Sequence, residues 1–141
     1  MQNNVERFID AQRTDYATAL SEVKRGRKQS HWMWYIFPQI QGLGYSSISK
    51  RYAIQNLGEA GAYLQHPVLG SRLIEISTAL LALESSDAYR IFGTPDDLKL
   101  KSSMTLFAAV SGADPIFEQV LQKFFRGTKD ENTLRILGIK Q

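Results

Sequence analysis

The stretch 29-QSHWMWYIFPQIQGLGYSS-47 joins a dense aromatic run to one bearing amides, glycines and serines, and its reading decides the fold. Placed on a helix, Trp32, Met33, Trp34, Tyr35, Ile36 and Phe37 cover every face, the pattern of a helix buried on all sides. Pro38 ends that helix, because proline lacks the N–H and disfavours helical geometry in the residue before it. Gln39, Gln41, Gly42, Gly44, Ser46 and Ser47 follow. Amides, hydroxyls and flexible backbone beside aromatic rings suit a ring-bearing ligand. The apolar half, residues 32–37, therefore predicts a central core helix. The polar half, with His31 and the basic residues before it, predicts the place where a ligand would sit.

Working outward, Val5, Phe8, Ile9, Gln12, Tyr16, Leu20 and Val23 recur at helical spacing, with Asn3 or Asn4 as a cap and Gly26 as a stop. A short helix is expected over residues 48–55. Asn56 and Glu59 form an N-x-x-E start signal for residues 57–64. His66-Pro67 bends the chain and opens a helix over 68–83, whose stripe is Leu69, Leu73, Ile76, Leu80 and Leu83. Thr94-Pro95-Asp96-Asp97 supplies a cap, a proline and first-turn acids for residues 96–110. Asp114-Pro115 repeats the device for 116–125, closed by Gly127. Asp130 starts a last helix through Leu137, closed by Gly138. Nowhere do two alternating runs meet at a hairpin turn. The predicted fold is all-α: a single compact domain spanning residues 1–141, with the central hydrophobic helix surrounded by about five to seven short helices.

The 141-residue length, 43% hydrophobic and 22% charged content are those of an ordinary globular domain. No apolar run approaches the roughly 18 residues that span a bilayer. The start, MQNNVERFIDAQ, lacks the basic and apolar regions of a secretory signal. A cytoplasmic setting with no membrane partner is expected. The absence of cysteine removes disulfides, thiolate zinc sites and cysteine nucleophiles. Net charge is +3, and four basic residues gather in 24-KRGRK-28. That is a local patch rather than a general surface for nucleic acid.

Each candidate residue has a structural account as well as a functional one. Trp32 and Trp34 fill a core or stack a ring. Gly42 and Gly44 serve a helix connection or bring backbone N–H groups to a phosphate, but no strand precedes them and no Lys-Ser/Thr pair follows, so neither P-loop nor Rossmann turn is indicated. Ser46 and Ser47 can start a helix or offer hydroxyls. Arg25 and Lys28 complement the end of the first helix or meet phosphate. His31 is a satisfied core residue or a ligand contact, and His66 a cap. Two histidines without clustered acids predict no metal, and no cofactor motif is present. Glu59 has a capping duty, and no spacing singles out a pair of acids for catalysis.

Four segments, 24-KRGRKQSHWMWYIFPQIQGLGYSS-47, 51-RYAIQNLGEAGAYLQHPVLGSRL-73, 92-FGTPDDLKLKSSMTLFA-108 and 116-IFEQVLQKFFRGTKDENTL-134, resemble the bacterial family called domain of unknown function 1810. Its members sometimes carry a calpastatin-like label. The resemblance covers nearly the whole chain and implies an all-helical fold with a central helix; it implies no catalytic residue. The label fits poorly, because that inhibitor is a disordered repeat protein and this composition is compact. In layout, the aromatic segment, Glu59-Ala60-Gly61-Ala62-Tyr63 and the unit at 123–134 are also similar to YbiA-like proteins, a group linked to ADP-ribose derivatives and N-glycoside hydrolysis. That likeness implies Trp32 or Trp34 stacking a ring, Arg25 or Lys28 meeting phosphate, and Glu59 as the acid nearest the chemistry. The expected function is binding, with or without hydrolysis, of a nucleotide-like or ADP-ribose-like small molecule. The alternative is a non-enzymatic protein- or nucleic-acid-interaction module using residues 24–28, with nucleic acid the lesser expectation.

Overall fold

Helix α1 (Glu6–Lys24) turns its Phe8, Gln12, Ala19, Glu22 and Val23 inward. It stops at Gly26, whose N–H donates to Val23 O at 2.8 Å and whose φ of +74° suits glycine best. The computed structural model describes residues 5–139, so the candidate caps Asn3 and Asn4 lie outside the described residues. Eight further helices follow: α2 (Met33–Ile36), α3 (Ser47–Arg51), α4 (Leu57–Gln65), α5 (Leu69–Ala82), α6 (Ala88–Phe92), α7 (Asp96–Ala108), α8 (Ile116–Phe125) and α9 (Glu131–Leu137). Among the described residues there is no strand, only one isolated parallel bridge between Ile40 and Ile54. The all-α prediction holds.

A helix buried on most of its sides is present, but it is α7 rather than the aromatic segment. Every residue from Ser102 to Phe107 is buried, and α7 packs against α4, α6, α8 and α9. The buried Ser103 Oγ has no partner, but two other hydroxyls of α7 are spent within the helix: Ser102 donates to Leu98 O at 3.2 Å and Thr105 to Lys101 O at 2.8 Å. That lets a helix with few large apolar residues sit in the core. An aromatic chain runs through the centre, from Phe8 to Tyr63 (5.2 Å), Phe107 (5.3 Å) and Phe117 (5.8 Å). From α8, Lys123 Nζ donates to Leu80 O, Leu81 O and Leu83 O at the C-terminal end of α5.

Helix starts follow the capping signals closely. Asn56 accepts from Glu59 N at 2.9 Å, and Asp130 from Thr133 N at 2.9 Å. Asp114 accepts from Ile116 N at 2.9 Å, so α8 begins and ends where the sequence predicts. His66 Nδ1 accepts from Val68 N at 3.1 Å at the bend into α5. Thr94 differs: Pro95 takes the cap position of α7 without a side-chain cap bond, and the Thr94–Pro95 peptide is cis. Helix α6 was not expected; Asp87 caps it by accepting from Arg90 N at 3.2 Å. Helix α3 ends at Arg51 instead of continuing to residue 55, because Ile54 is claimed by the bridge to Ile40.

Candidate functional site

The approach to the aromatic segment is organised by a buried carboxylate. Glu22 is 2% exposed and accepts from Gln29 N (2.7 Å), Ser30 N (2.9 Å), Ser30 Oγ (2.6 Å) and Trp32 Nε1 (2.9 Å). Burial opposes its ionisation, but these four donors prevail and hold its pKa down at about 2. They also keep residues 29–32 out of a helix. On the other side Pro38 keeps Phe37 out of helical geometry, φ −123° and ψ 76°. The helix between these two limits is a single turn. Residues 32–37 are thus core, as predicted, with Trp34 alone half-buried.

After Pro38 the chain leaves the core and returns. Gln41 N donates to Ile54 O and Ile54 N to Gln39 O, each at 2.8 Å, which pins the two ends of a loop that carries α3. Ser46 caps α3, accepting from Ser49 N at 3.2 Å. Gly44 lets the loop close on α3, since a Cβ there would lie 2.7 Å from Ser49 Oγ. Gly42 supplies a turn at φ +94°. Under this arch lies a cavity of about 370 Å³. Its wall includes Trp34, Gln39, Gly42, Gly44, Tyr45, Lys50 and Tyr52, with Lys50 its one charged residue. Tyr45 is 89% exposed at its edge. Gln39 is 8% exposed and its Nε2 has no hydrogen-bond partner.

Neighbouring charges fix the aromatic wall. Lys99 Nζ lies 3.9 Å from the centre of the Trp34 ring and pairs with Asp96 Oδ1 at 3.1 Å. Lys28 Nζ pairs with Asp96 Oδ2 at 2.9 Å and lies 5.0 Å from the Trp32 ring. Burial alone would raise the Asp96 pKa, but hydrogen bonds from Lys28 and Lys99 hold it below the usual carboxylate range. One carboxylate therefore tethers two lysines, each set over a different tryptophan. Tyr52 rests on Tyr35 at 5.2 Å. The Tyr35 hydroxyl, which donates to Asp15, has its pKa raised by burial and by that carboxylate.

Of the residues singled out in the sequence, Trp34, Gln39, Gly42 and Gly44 meet at the cavity. Ser46 is committed to capping, and Ser47 is exposed as the first residue of α3. Trp32 is buried against Glu22 and Phe92. His31 is exposed and does not line the cavity. Lys28 is taken up by Asp96 and by Ser30 O. Arg25 lies at a separate depression with Arg27 and Arg90. Glu59 is 4% exposed, pairs with Arg7 at 2.9 Å and accepts from Gln55 N at 3.1 Å. It is not part of the cavity wall. Sequence reasoning missed Tyr45, Lys50, Tyr52 and Lys99. The first three lie in or just after the quoted stretch, where a glycine-flanked tyrosine was a usable signal; nothing local points to Lys99.

Among the described residues no group of three or more His, Asp or Glu side chains is gathered to hold a metal, and no helix is long and apolar enough to cross a membrane. Fold and cavity together define a small all-α protein whose one closed loop roofs a side cavity. The chain belongs to the family described as protein of unknown function (DUF1810), whose model matches residues 2–137. It is similar to the conserved hypothetical protein Rv1873 from Mycobacterium tuberculosis, seen in a crystal structure. Identity is 43% over 98% of this chain and 99% of that one, with a TM-score of 0.94. No curated protein matches the chain.

Proposed function

We propose that the cavity under the 39–54 arch binds a small, nucleotide-like molecule: a planar ring carrying a hydrogen-bond acceptor, joined to an anionic group. The observation that carries this is the Gln39 side-chain amide, buried at the cavity wall with an unpartnered Nε2. A buried donor left unmade costs about 1–3 kcal/mol, and a ligand acceptor would recover it. Trp34, Tyr45 and Tyr52 supply the aromatic surface, and Lys50 the cation. The volume, about 370 Å³, falls in the range of small-molecule pockets. A cytoplasmic setting belongs to this reading.

Binding rather than hydrolysis is the activity this geometry favours. No acid or histidine lines the wall, and Glu59 is engaged by Arg7 and by the start of α4. The test is calorimetric titration with AMP and ADP-ribose, followed in parallel by tryptophan fluorescence. Micromolar to low-millimolar binding is expected, weakened about tenfold in Gln39→Leu, which corresponds to one lost hydrogen bond to a buried donor. Absence of heat with both compounds, or equal affinity in Gln39→Leu, rejects the proposal.

A further inference from the structure

The second functional feature lies where α1 ends. Arg25, Arg27 and Arg90 line an open depression of about 780 Å³, bounded also by Gly26, Leu83, Glu84 and Ser85. It shares no wall residue with the arch cavity. The sequence places two of these arginines in one run, but Arg90 joins them only because the run is tied to α6. Lys28 N donates to Ile91 O at 2.7 Å, Arg27 N to Glu22 O at 3.1 Å and Arg25 N to Ser21 O at 3.1 Å. Glu22 then holds Gln29 and Ser30. The backbone beneath the arginines is thus anchored at nearly every step.

The charges on this anchored surface are not neutralised from within. Five cations among the described residues find carboxylates: Arg7 with Glu59, Arg13 with Asp10, Lys28 and Lys99 with Asp96, Lys129 with Glu118. Of the cations without one, Arg25, Arg27 and Arg90 are three that share a single depression. Among the described residues no ion pair joins Arg25, Arg27 or Arg90 to any acid, not even to Glu84 in the same depression. Helix dipoles account for a cation at each helix end, Arg25 capping α1 and Arg90 in the last turn of α6. They do not account for bringing both ends to one depression, where like charges repel. Exposed guanidiniums gathered over an anchored backbone can recognise phosphate, through forked N–H donors.

We infer that Arg25, Arg27 and Arg90 form an anion site for a multiply charged phosphate group of a small molecule, separate from the arch cavity. Tripolyphosphate is the direct probe. At low salt it should bind the wild-type chain at one site, detected by calorimetry and by amide shifts confined to residues 25–28 and 84–91. Arg90→Gln should weaken binding about tenfold while thermal unfolding stays unchanged, since Arg90 makes no side-chain contact that the fold uses. Raising the salt should weaken it as well. Gln39→Leu should leave tripolyphosphate binding intact, which separates this site from the proposed cavity ligand. No binding at millimolar tripolyphosphate overturns the inference, as does equal affinity in Arg90→Gln. A single-stranded oligonucleotide that binds more tightly through the same arginines overturns the small-molecule assignment in favour of nucleic acid.

Discussion

Trp32 and Trp34 stand two residues apart and belong to different parts of the molecule. Around Trp32 the polar groups are matched: the indole N–H, two backbone N–H groups and a serine hydroxyl all reach Glu22, whose carboxylate is buried with them. Around Trp34 the matching stops. Its ring borders a cavity in which the Gln39 amide has a donor with no partner and Tyr45 stands in solvent. Matched polar groups make the first region a structural joint. The unmatched amide of the second is the donor that the proposed ligand would satisfy.

Breaking the joint should have the largest effect. Glu22→Gln replaces an acceptor-only group with one that presents N–H groups to its four donors, and should cost about 3 kcal/mol in urea unfolding at neutral pH. The pKa of Glu22, lowered from 4.5 to about 2 by its hydrogen-bond donors, points the same way. The folded state holds this carboxyl ionised below its ordinary pKa, so the unfolded chain binds the proton first as pH falls. The stabilisation is therefore fully present above about pH 5 and is lost as pH drops through the lowered value near 2. The difference between wild type and Glu22→Gln should shrink over that window; a difference constant down to pH 2 would mean that Glu22 is not the anchor.

A second contrast tests the two indoles directly. Trp32→Phe removes an N–H bond to a buried carboxylate and should destabilise by about 2 kcal/mol. Trp34→Phe loses part of a half-exposed ring and a cation–π contact with Lys99, a loss of about 0.5–1 kcal/mol. Equal losses in thermal unfolding would erase the distinction between joint and wall. Opposite in sign, Gln39→Leu should raise stability by about 1 kcal/mol, because it removes a buried amide donor that the fold never paired. A large loss in that variant would show the amide to be structural.

Much of the helical order was legible in local chemistry. Asn56, Asp114 and Asp130 mark helix starts because a short side chain that accepts a nearby backbone N–H acts within a few residues. The same locality misled at Thr94, where Pro95 takes the cap position of α7 without a side-chain cap bond. The identity of the central helix was not legible. Residues 32–37 are all large and apolar or aromatic, yet Glu22 and Pro38 confine them to one turn, while α7 takes the centre with Ser102 and Thr105 bonding within the helix. The apolar half of the 29–47 stretch is core, as residue type and one proline indicate, whereas His31, Arg25 and Lys28, expected with the polar half, lie outside the cavity wall.

The sequence by itself determined the all-α class, the side-chain signals that start α4, α8 and α9, and that residues 32–37 are core. These follow from side-chain polarity and from interactions spanning at most a turn. Only the tertiary structure decided which charges are spent and which remain available. Lys28 and Glu59 are consumed by Asp96 and Arg7, partners 68 and 52 residues away along the chain, while Arg25 and Arg27 meet Arg90 at an unpaired surface. Electrostatic pairing acts across space and is indifferent to chain separation, so the roles of these residues are written in the packing of helices and not in their neighbours.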